Sequence, residues 1–188
     1  MTDSTNYHHG ALKETLLNSA LDKLAAGQAV TELSIRALAA EAGVSKGAPR
    51  RHFASADELI AALAERGFEQ LSAQMDAVED ADLTALGVIY VRFALDHPQL
   101  YRSMFHFPRG QAAQFSGLVE ASAETYQRLR RVIEQRPQRQ SQLTDDQASL
   151  TAWALVHGLA DLLIQQQTQQ SMDDTQIRAS LSALISGL

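Results

Sequence analysis

Apolar residues recur at every third or fourth position along most of the chain, and the alternating pattern of a strand is scarce. This spacing places apolar side chains on one face of a helix, so the chain is predicted to be all-α, with about nine helices. Gly27 can end the first helix, and Ser34 offers an N-cap for a short second one. The inward positions of the first helix are Leu12, Leu16, Leu17, Ala20, Leu21 and Leu24.

A turn and a basic segment, "VSKGAPRRHF" (44–53), follow the short second helix. Gly43 begins a tight turn, and Ser45 caps the helix after it. The tetrapeptide "SADE" then opens a long helix as a capping box, with Ser55 as the cap and Glu58 as its partner. Two short helices joined by a glycine-containing turn, after a longer supporting helix, predict a helix-turn-helix whose second helix enters the major groove. The alternative is a basic surface turn between helices.

The distribution of charge matters more than its sum. The whole chain carries a formal net charge of −6. Residues 34–52, however, hold four cations and one acid: Arg36, Lys46, Arg50, Arg51 and Glu41. A locally basic module on an acidic chain suits a protein that approaches a polyanion with one face only.

Several classes of protein are disfavoured by composition. The chain has no cysteine, which excludes disulfide scaffolds, thiolate metal sites and cysteine nucleophiles. No secretory signal is visible at the N-terminus. The most apolar window, 148–164, is short for a membrane span and is interrupted by His157 and Asp161. We therefore expect a cytoplasmic protein with no membrane association.

The segments "YHHGALKETLLNSALDKLAAGQ" and "LSIRALAAEAGVSKGAPRRHFASADELIAALAERGF" resemble the DNA-binding domain of the TetR/AcrR family of bacterial regulators, over about residues 7–68. The motifs that carry the resemblance are "A-x-x-A-G-V-S-x-G", "H-F" and "E-L", in that order. The resemblance implies a homodimeric repressor with a helix-turn-helix domain at 1–54 and a helical ligand-binding and dimerisation domain at 55–188. It also implies a palindromic or nearly palindromic double-stranded DNA operator and a small-molecule effector of unknown identity.

The resemblance assigns DNA contacts by position. Family members usually carry tyrosine where this chain has Arg50, and often lysine where it has Ala56. One phosphate contact is therefore expected to become cationic and another to be lost, while Lys46 is the better candidate for reading a base. The DNA-binding residues expected from the match and the helix caps are Ser34, Arg36, Ser45, Lys46, Gly47, Ala48, Arg50, Arg51 and His52.

Aromatic residues are concentrated in the C-terminal part of the chain. The segment "AWALVHGLADL" resembles a family subgroup labelled by its tryptophan, histidine and glycine, here Trp153, His157 and Gly158, and the spacing of four places the first two on one helical face. The alternatives are an ordinary aromatic core, a hydrogen-bonded core histidine and a glycine that marks close helix packing. The candidate ligand-binding residues are Phe93, His97, Tyr101, Met104, Phe105, Tyr126, Trp153 and His157.

Two late helices are predicted to form the dimer. "TDDQ" (144–147) is a capping box that opens a helix apolar nearly all round, so one face can pack within the chain and another on a second subunit. Packing entirely within one chain is the alternative. The predicted interface residues are Leu150, Leu155, Leu159, Leu162, Ile177, Leu181 and Leu184.

The leading hypothesis is a ligand-responsive transcriptional regulator, a repressor that a small apolar or aromatic molecule releases from its operator. One alternative is a constitutive DNA-binding dimer whose C-terminal domain only dimerises. The other is a helical enzyme, which the chain supports least because it shows no nucleophile with an adjacent base and no phosphate loop. His97, His106 and His157 fit no metal-ligand spacing, and neither a metal nor a cofactor is predicted.

Overall fold

The computed structural model describes residues 4–43, 52–79, 81–136, 142–166 and 171–185, with the side chains of the first helix described from Leu12 onward. The predicted all-α fold is confirmed, since all the secondary-structure elements assigned in these ranges are helices. A short 3-10 turn at Val30–Glu32 precedes the second helix. The helices are α1 (Ser4–Ala25), α2 (Ile35–Glu41), α3 (Ala56–Asp76), α4 (Leu83–Asp96), α5 (Pro98–Met104), α6 (Arg109–Ala112), α7 (Ser116–Glu134), α8 (Asp145–Ile164) and α9 (Asp174–Ile185).

The chain divides into two compact units. Unit 1 comprises Met1–Gly67 and Gln99–Val119, and unit 2 comprises Phe68–Pro98 and Glu120–Leu188. Helices α3 and α7 each contribute residues to both units. The functional boundary expected between residues 54 and 55 stays a prediction.

The first two helices of unit 1 have ends that local sequence explains. Gly27, at φ +92°, lets its own amide and that of Gln28 bond back to the last turn of α1. This is the double bond of a Schellman cap, which needs a residue in the left-handed region. The Ala37 amide donates to the Ser34 hydroxyl at 3.5 Å, so the predicted N-cap of α2 is confirmed.

Helix α3 begins at a capping arrangement that differs from the prediction in one bond. The Glu58 amide donates to the Ser55 hydroxyl at 3.2 Å, as expected. The Glu58 carboxylate, however, accepts from the Ala54 amide at 2.7 Å. A capping box would use the amide of Ser55 itself. The carboxylate thus also anchors the residue that precedes the cap.

The core of unit 1 lies between α1, α2 and the first half of α3. Two ion pairs lie at its edge: Lys23 with Glu41 at 2.8 Å, and Arg66 with Glu14 at 3.1 Å. In each ion pair one partner is half exposed, so we assign each pair a contribution of about 0–1 kcal/mol to the free energy of unfolding. We attribute the stability of unit 1 mainly to its apolar core. The large core side chains include Leu16, Leu17, Leu24, Leu38, Phe53, Leu59 and Leu63.

In unit 2, α4 packs against α8 and α9. A Cβ at Gly87 would lie 2.9 Å from Leu181 Cδ1 and 3.2 Å from Val156 Cγ1, so any larger residue there would require the Leu181 side chain to move. The predicted break at Pro98 is confirmed, because α4 ends at Asp96 and α5 begins at Pro98.

Polar bonds fix α3 to α7 within unit 2. The hydroxyls of Ser72 and Thr125 lie 2.7 Å apart in the core. One turn further on, Arg128 donates two bonds to the Asp76 carboxylate, at 2.8 and 2.6 Å. Two parallel bonds fix direction as well as distance. This guanidinium holds the pKa of Asp76 below its ordinary value, mainly through hydrogen bonding.

The capping box predicted for α8 is confirmed. The Gln147 amide donates to the Thr144 hydroxyl at 3.3 Å, and the Thr144 amide donates to the Gln147 side-chain oxygen at 2.9 Å. These two bonds satisfy amides that the first turn of a helix would otherwise leave without partners.

Candidate functional site

The predicted DNA-binding residues divide between described and undescribed parts of the chain. Ser34 and Arg36 are exposed, at the start of α2, and His52 is half-buried. The Ser34 hydroxyl already caps α2. The remaining members, Ser45, Lys46, Gly47, Ala48, Arg50 and Arg51, lie outside the described residues.

Gly43 and Phe53 lie on either side of residues 44–51, which belong to the basic segment. Gly43, at φ +66°, follows the last turn of α2, and its amide donates to the Ala40 carbonyl at 3.1 Å. Phe53 is 2% exposed, and the Lys13 ammonium lies 6.0 Å from the centre of its ring. A left-handed glycine therefore precedes the segment, and a buried aromatic anchor follows it.

The acidic side chain at the end of α2 is paired with a cation. Glu41, the acid within residues 34–52, pairs with Lys23 at 2.8 Å and accepts a 3.5 Å bond from the Ser19 hydroxyl. This pairing offsets the negative charge of Glu41 and also fastens the end of α2 to α1.

Unit 2 contains a row of four rings, which we call the aromatic row: Tyr90, His157, Trp153 and Tyr126. The Tyr90 hydroxyl lies 2.9 Å from His157 Nδ1. Ring centres are 5.9 Å apart between His157 and Trp153, and 6.0 Å apart between Trp153 and Tyr126, both edge to face. Tyr90 is 6% exposed, whereas the other three rings are half-buried. The row therefore runs from the core of unit 2 to its surface.

Two further groups lie beside the aromatic row. His97 stacks at 5.1 Å on Phe93, which is 1% exposed and lies one turn after Tyr90 on α4. The Asp161 carboxylate lies 4.0 Å from His157 Nε2, one turn further along α8. Together these residues place hydrogen-bonding groups next to apolar ring faces, an arrangement that suits a polar aromatic ligand.

The other predicted ligand residues belong to unit 1. Tyr101 and Phe105 stack edge to face at 5.2 Å. Met104 packs on Gly67, where a Cβ would lie 2.7 Å from Met104 Cγ. Tyr101 and Met104 are buried, at 2% and 5% exposure. The structure thus brings Phe93, His97, Tyr126, Trp153 and His157 into unit 2, and Tyr101, Met104 and Phe105 into unit 1.

Tyr90 is absent from the predicted ligand residues, although its hydroxyl makes the hydrogen bond that orients His157. A signal was available, because Tyr90 precedes Phe93 by three and His97 by seven positions on one helix. The interpretation of Gly158 as a close-packed glycine is wrong for the single chain, since a Cβ there would meet nothing within 4 Å.

The predicted dimer residues differ sharply in exposure. Leu150, Leu162 and Leu184 are 57%, 45% and 59% exposed. Leu155 and Leu159 are half-buried. Ile177 and Leu181 are 0% exposed, because α9 packs them against the rest of unit 2, so they have no surface left to offer a second chain. Among the described helices, α8 has the length and apolar composition to cross a membrane, a test that the core helix of a soluble protein also passes.

Comparison with known families identifies the chain. Residues 16–63 match the bacterial regulatory proteins of the tetR family, and residues 83–188 match the tetracyclin repressor-like C-terminal domain. The chain belongs to the TetR family. It is a DNA-binding transcriptional regulator and not an enzyme. Regulators of this family bind operator DNA, form dimers and typically respond to ligands.

Solved structures similar to this TetR-family chain cover nearly all of it. A protein of unknown function from Rhodococcus sp. RHA1 is 33% identical, with 97% of each chain covered and a TM-score of 0.78. The TetR-family member SCO1917 from Streptomyces coelicolor A3 is 23% identical, over 92% of this chain and 96% of its own, with a TM-score of 0.61. The ketosteroid transcriptional regulator KstR2 of Mycobacterium tuberculosis is 17% identical, over 93% of each chain, with a TM-score of 0.58.

The last two structures show the shared fold alone, because their identity is below 25%. No curated protein matches the chain by sequence.

Proposed function

We propose that this regulator is a repressor that a small apolar or aromatic molecule releases from its operator in the cytoplasm. The observation that carries the proposal is the aromatic row, in which the Tyr90 hydroxyl and His157 Nδ1 are 2.9 Å apart beside the rings of Trp153 and Tyr126. Half-buried rings with a fixed hydrogen-bonding group among them can bind a flat molecule and select its orientation.

The proposed mechanism is a shift of population between two conformations. An effector that binds one conformation more tightly favours one placement of α3, the helix that follows the predicted helix-turn-helix. A change in that placement alters the separation of the two DNA-reading helices in the dimer, and therefore the fit to the operator. An effector with equal affinity for both conformations leaves operator affinity unchanged.

The effector response can be measured with the natural probe of the chain. Trp153 is its single tryptophan, so intrinsic fluorescence reports on the aromatic row. Flat aromatic compounds are titrated against the protein while Trp153 emission and the anisotropy of a labelled operator are recorded in the same solution. We expect the compounds that change the emission to weaken operator binding. An operator affinity indifferent to every compound that binds contradicts the proposal.

The proposed DNA contacts have a separate test in the salt dependence of binding. Arg50→Ala and Arg51→Ala should each weaken binding to all sequences, and each should reduce the slope of log K against log salt by about one unit, because each removes one phosphate contact. Arg131→Ala, an exposed arginine on α7, is the matched control. A slope unchanged by either substitution removes that arginine from the phosphate contacts.

The proposed operator is a palindrome or close to one. A two-fold dimer presents two equivalent helix-turn-helix units. These units fit half-sites whose centres are about 34–36 Å apart, a distance of one turn of DNA. The exposed residues Leu150, Leu162 and Leu184, with half-buried Leu155 and Leu159, are the proposed subunit contacts. Shortening the spacing between half-sites by half a turn should abolish tight binding, whereas a full added turn should weaken it less.

A further inference from the structure

Three consecutive residues of α3, which we call the junction, each contact a different helix within unit 1. Glu65 lies against Gly117 of α7. Arg66 pairs with Glu14 of α1 at 3.1 Å, and Gly67 packs directly on α5. Successive residues of a helix point about 100° apart, so the three contacts surround α3. The placement of α3 in unit 1 is therefore fixed from three sides at the junction.

The Glu65 carboxylate occupies the space that a side chain at position 117 would fill. A Cβ at Gly117 would lie 2.6 Å from Glu65 Cδ and 2.7 Å from Oε1, which is closer than real Cβ atoms approach their neighbours. Gly117 belongs to the first turn of α7, the helix Ser116–Glu134. Amides at the start of a helix carry partial positive charge, so a carboxylate beside them is favourable. The glycine thus leaves a place on α7 for a carboxylate from α3.

The three contacts of the junction differ in what is needed to break them. The pair of Arg66 with Glu14 is largely exposed and contributes little to stability. Gly67 is buried, and its contact with α5 can change only if packed side chains move. The Glu65 contact is made by the charged end of a flexible, half-buried side chain. It can therefore open and close without repacking the core.

Helices α3 and α7 are also bonded to each other inside unit 2. The hydroxyls of Ser72 and Thr125 lie 2.7 Å apart, and Arg128 donates two bonds to Asp76. The two helices that contribute to both units are thus joined by polar contacts within each unit. In unit 1 the contact of this kind is the one made by Glu65.

We propose that Glu65 is a positioning residue that links DNA binding to the first turn of α7. DNA held by the helix-turn-helix favours one placement of α3, and this placement keeps Glu65 against Gly117. The link is reciprocal, so a change at the start of α7 alters the affinity for DNA. On the basis of the proposed function, an effector that contacts Tyr126, which is also on α7, acts on α3 through the same contact.

The test removes the contact while keeping the helix. Gly117→Ala puts a methyl group where the carboxylate lies, and only the end of the Glu65 side chain has to move. Alanine favours a helix more than glycine does, so the fold is retained. Gly110→Ala is the matched control, because a Cβ at Gly110 meets nothing within 4 Å. Circular dichroism and thermal unfolding verify that every variant is folded.

Hydrogen exchange of the amides of residues 117–119, followed by mass spectrometry and corrected for intrinsic rates, reports on the first turn of α7. The DNA probe is a duplex that the wild-type chain selects from a random-sequence pool. In the wild type we expect this duplex to slow the exchange at least about fivefold, the lower end of usual coupling between sites. Gly117→Ala without DNA should exchange about fivefold faster than the wild type, as expected for the loss of one helix cap. DNA should no longer change its exchange, whereas Gly110→Ala should behave as the wild type.

A second substitution identifies the partner of Gly117. Glu65→Ala removes the carboxylate without touching α7, and we expect it to reproduce the exchange of Gly117→Ala. The double variant should add nothing further, because both substitutions remove the same contact. Effects that add in the double variant overturn the pairing of Glu65 with Gly117.

The remaining outcomes decide the other parts of the proposal. Equal exchange in the wild type and Gly117→Ala overturns the contact itself. An exchange that DNA leaves unchanged in the wild type, or slows equally in Gly117→Ala, overturns the link to DNA binding. These measurements use no effector, so a failure of the effector response leaves their result unchanged.

Discussion

The starts of helices α2 and α3 in unit 1 and the aromatic row in unit 2 are held by different kinds of contact. Helices α2 and α3 begin at bonds between close neighbours, such as Ala37 to Ser34 and Glu58 to Ser55. The hydrogen bond of the row joins Tyr90 to His157, which are 67 residues apart. The starts of α2 and α3 are thus defined locally, whereas the row exists only when α4, α7 and α8 are packed. A site that depends on packing is well suited to sense a ligand, because a ligand can change that packing.

The largest expected effect tests this comparison at a buried ring of unit 1, Phe53. Phe53→Ala removes a ring that is 2% exposed and should reduce the free energy of unfolding by about 3–5 kcal/mol. Operator binding should fall with it, because Phe53 anchors the end of the basic segment. Val78→Ala, at a residue 44% exposed, is the control and should change stability by less than about 0.5 kcal/mol. Urea unfolding at fixed protein concentration measures both. A loss as small as that of the control would show that Phe53 is not an anchor.

A smaller effect is expected from a close helix contact in unit 1. Gly67→Ala places a Cβ 2.7 Å from Met104 Cγ and 3.3 Å from Leu100 Cγ, so the Met104 side chain or the helix that carries it must shift. Overpacking of this kind costs about 1–3 kcal/mol. Gly110→Ala, where the added methyl meets open space, should be neutral or slightly stabilising. Thermal unfolding of the two variants side by side gives the difference, and equal midpoints would contradict the tight contact.

The long-range bond of the aromatic row can be removed without changing its shape. Tyr90→Phe deletes the hydroxyl next to His157 Nδ1, and should cost about 0.5–1.5 kcal/mol in unfolding free energy. Trp153 emission should also change, because His157 stacks on that ring. Tyr126→Phe makes the same chemical change at the far end of the row. If Tyr90→Phe and Tyr126→Phe show equal Trp153 emission and equal unfolding free energy, the Tyr90 hydrogen bond does not order the row.

The smallest expected effect concerns the ion pair that joins α3 and α7. Arg128 lowers the pKa of Asp76 from its ordinary value of 3.8, so the pair stabilises the fold above that pH and the contribution is lost as the pH falls through the lowered pKa. Because Asp76 is largely exposed, the contribution is at most about 1 kcal/mol. The stability difference between wild type and Asp76→Asn should therefore be largest near neutral pH and shrink below 3.8. Glu120→Gln on α7 is the control, and a difference that does not shrink in acid contradicts the pairing.

Helix ends were the most predictable part of the fold. Gly27, Ser34, Pro98 and Thr144 were each expected to begin, end or break a helix, and each does so. These signals act over about five residues, which is a distance that spacing in the sequence can describe. The Glu58 carboxylate shows the limit of these signals. It accepts from the amide of Ala54 and not from that of Ser55, and a difference of one residue decides which amide is bonded.

The packing of the C-terminal helices could not be predicted in the same way. A glycine in the sequence does not say whether it faces a neighbour, as Gly67 and Gly87 do, or open space, as Gly158 does. The apolar stripe of α9 likewise does not say whether Ile177 and Leu181 face their own chain or a second one. These distinctions depend on helices far apart in sequence, and periodicity contains no information on which helices meet.

The exposed leucines of α8 and α9 also have a consequence for handling the protein. A separated protomer would expose Leu150 and Leu162 together with Leu184, an apolar surface that water does not solvate well. Pairing stabilises the folded chain by mass action, so its melting temperature should rise with protein concentration. Dilution should therefore be treated as a destabilising condition in its own right, comparable with heat or denaturant.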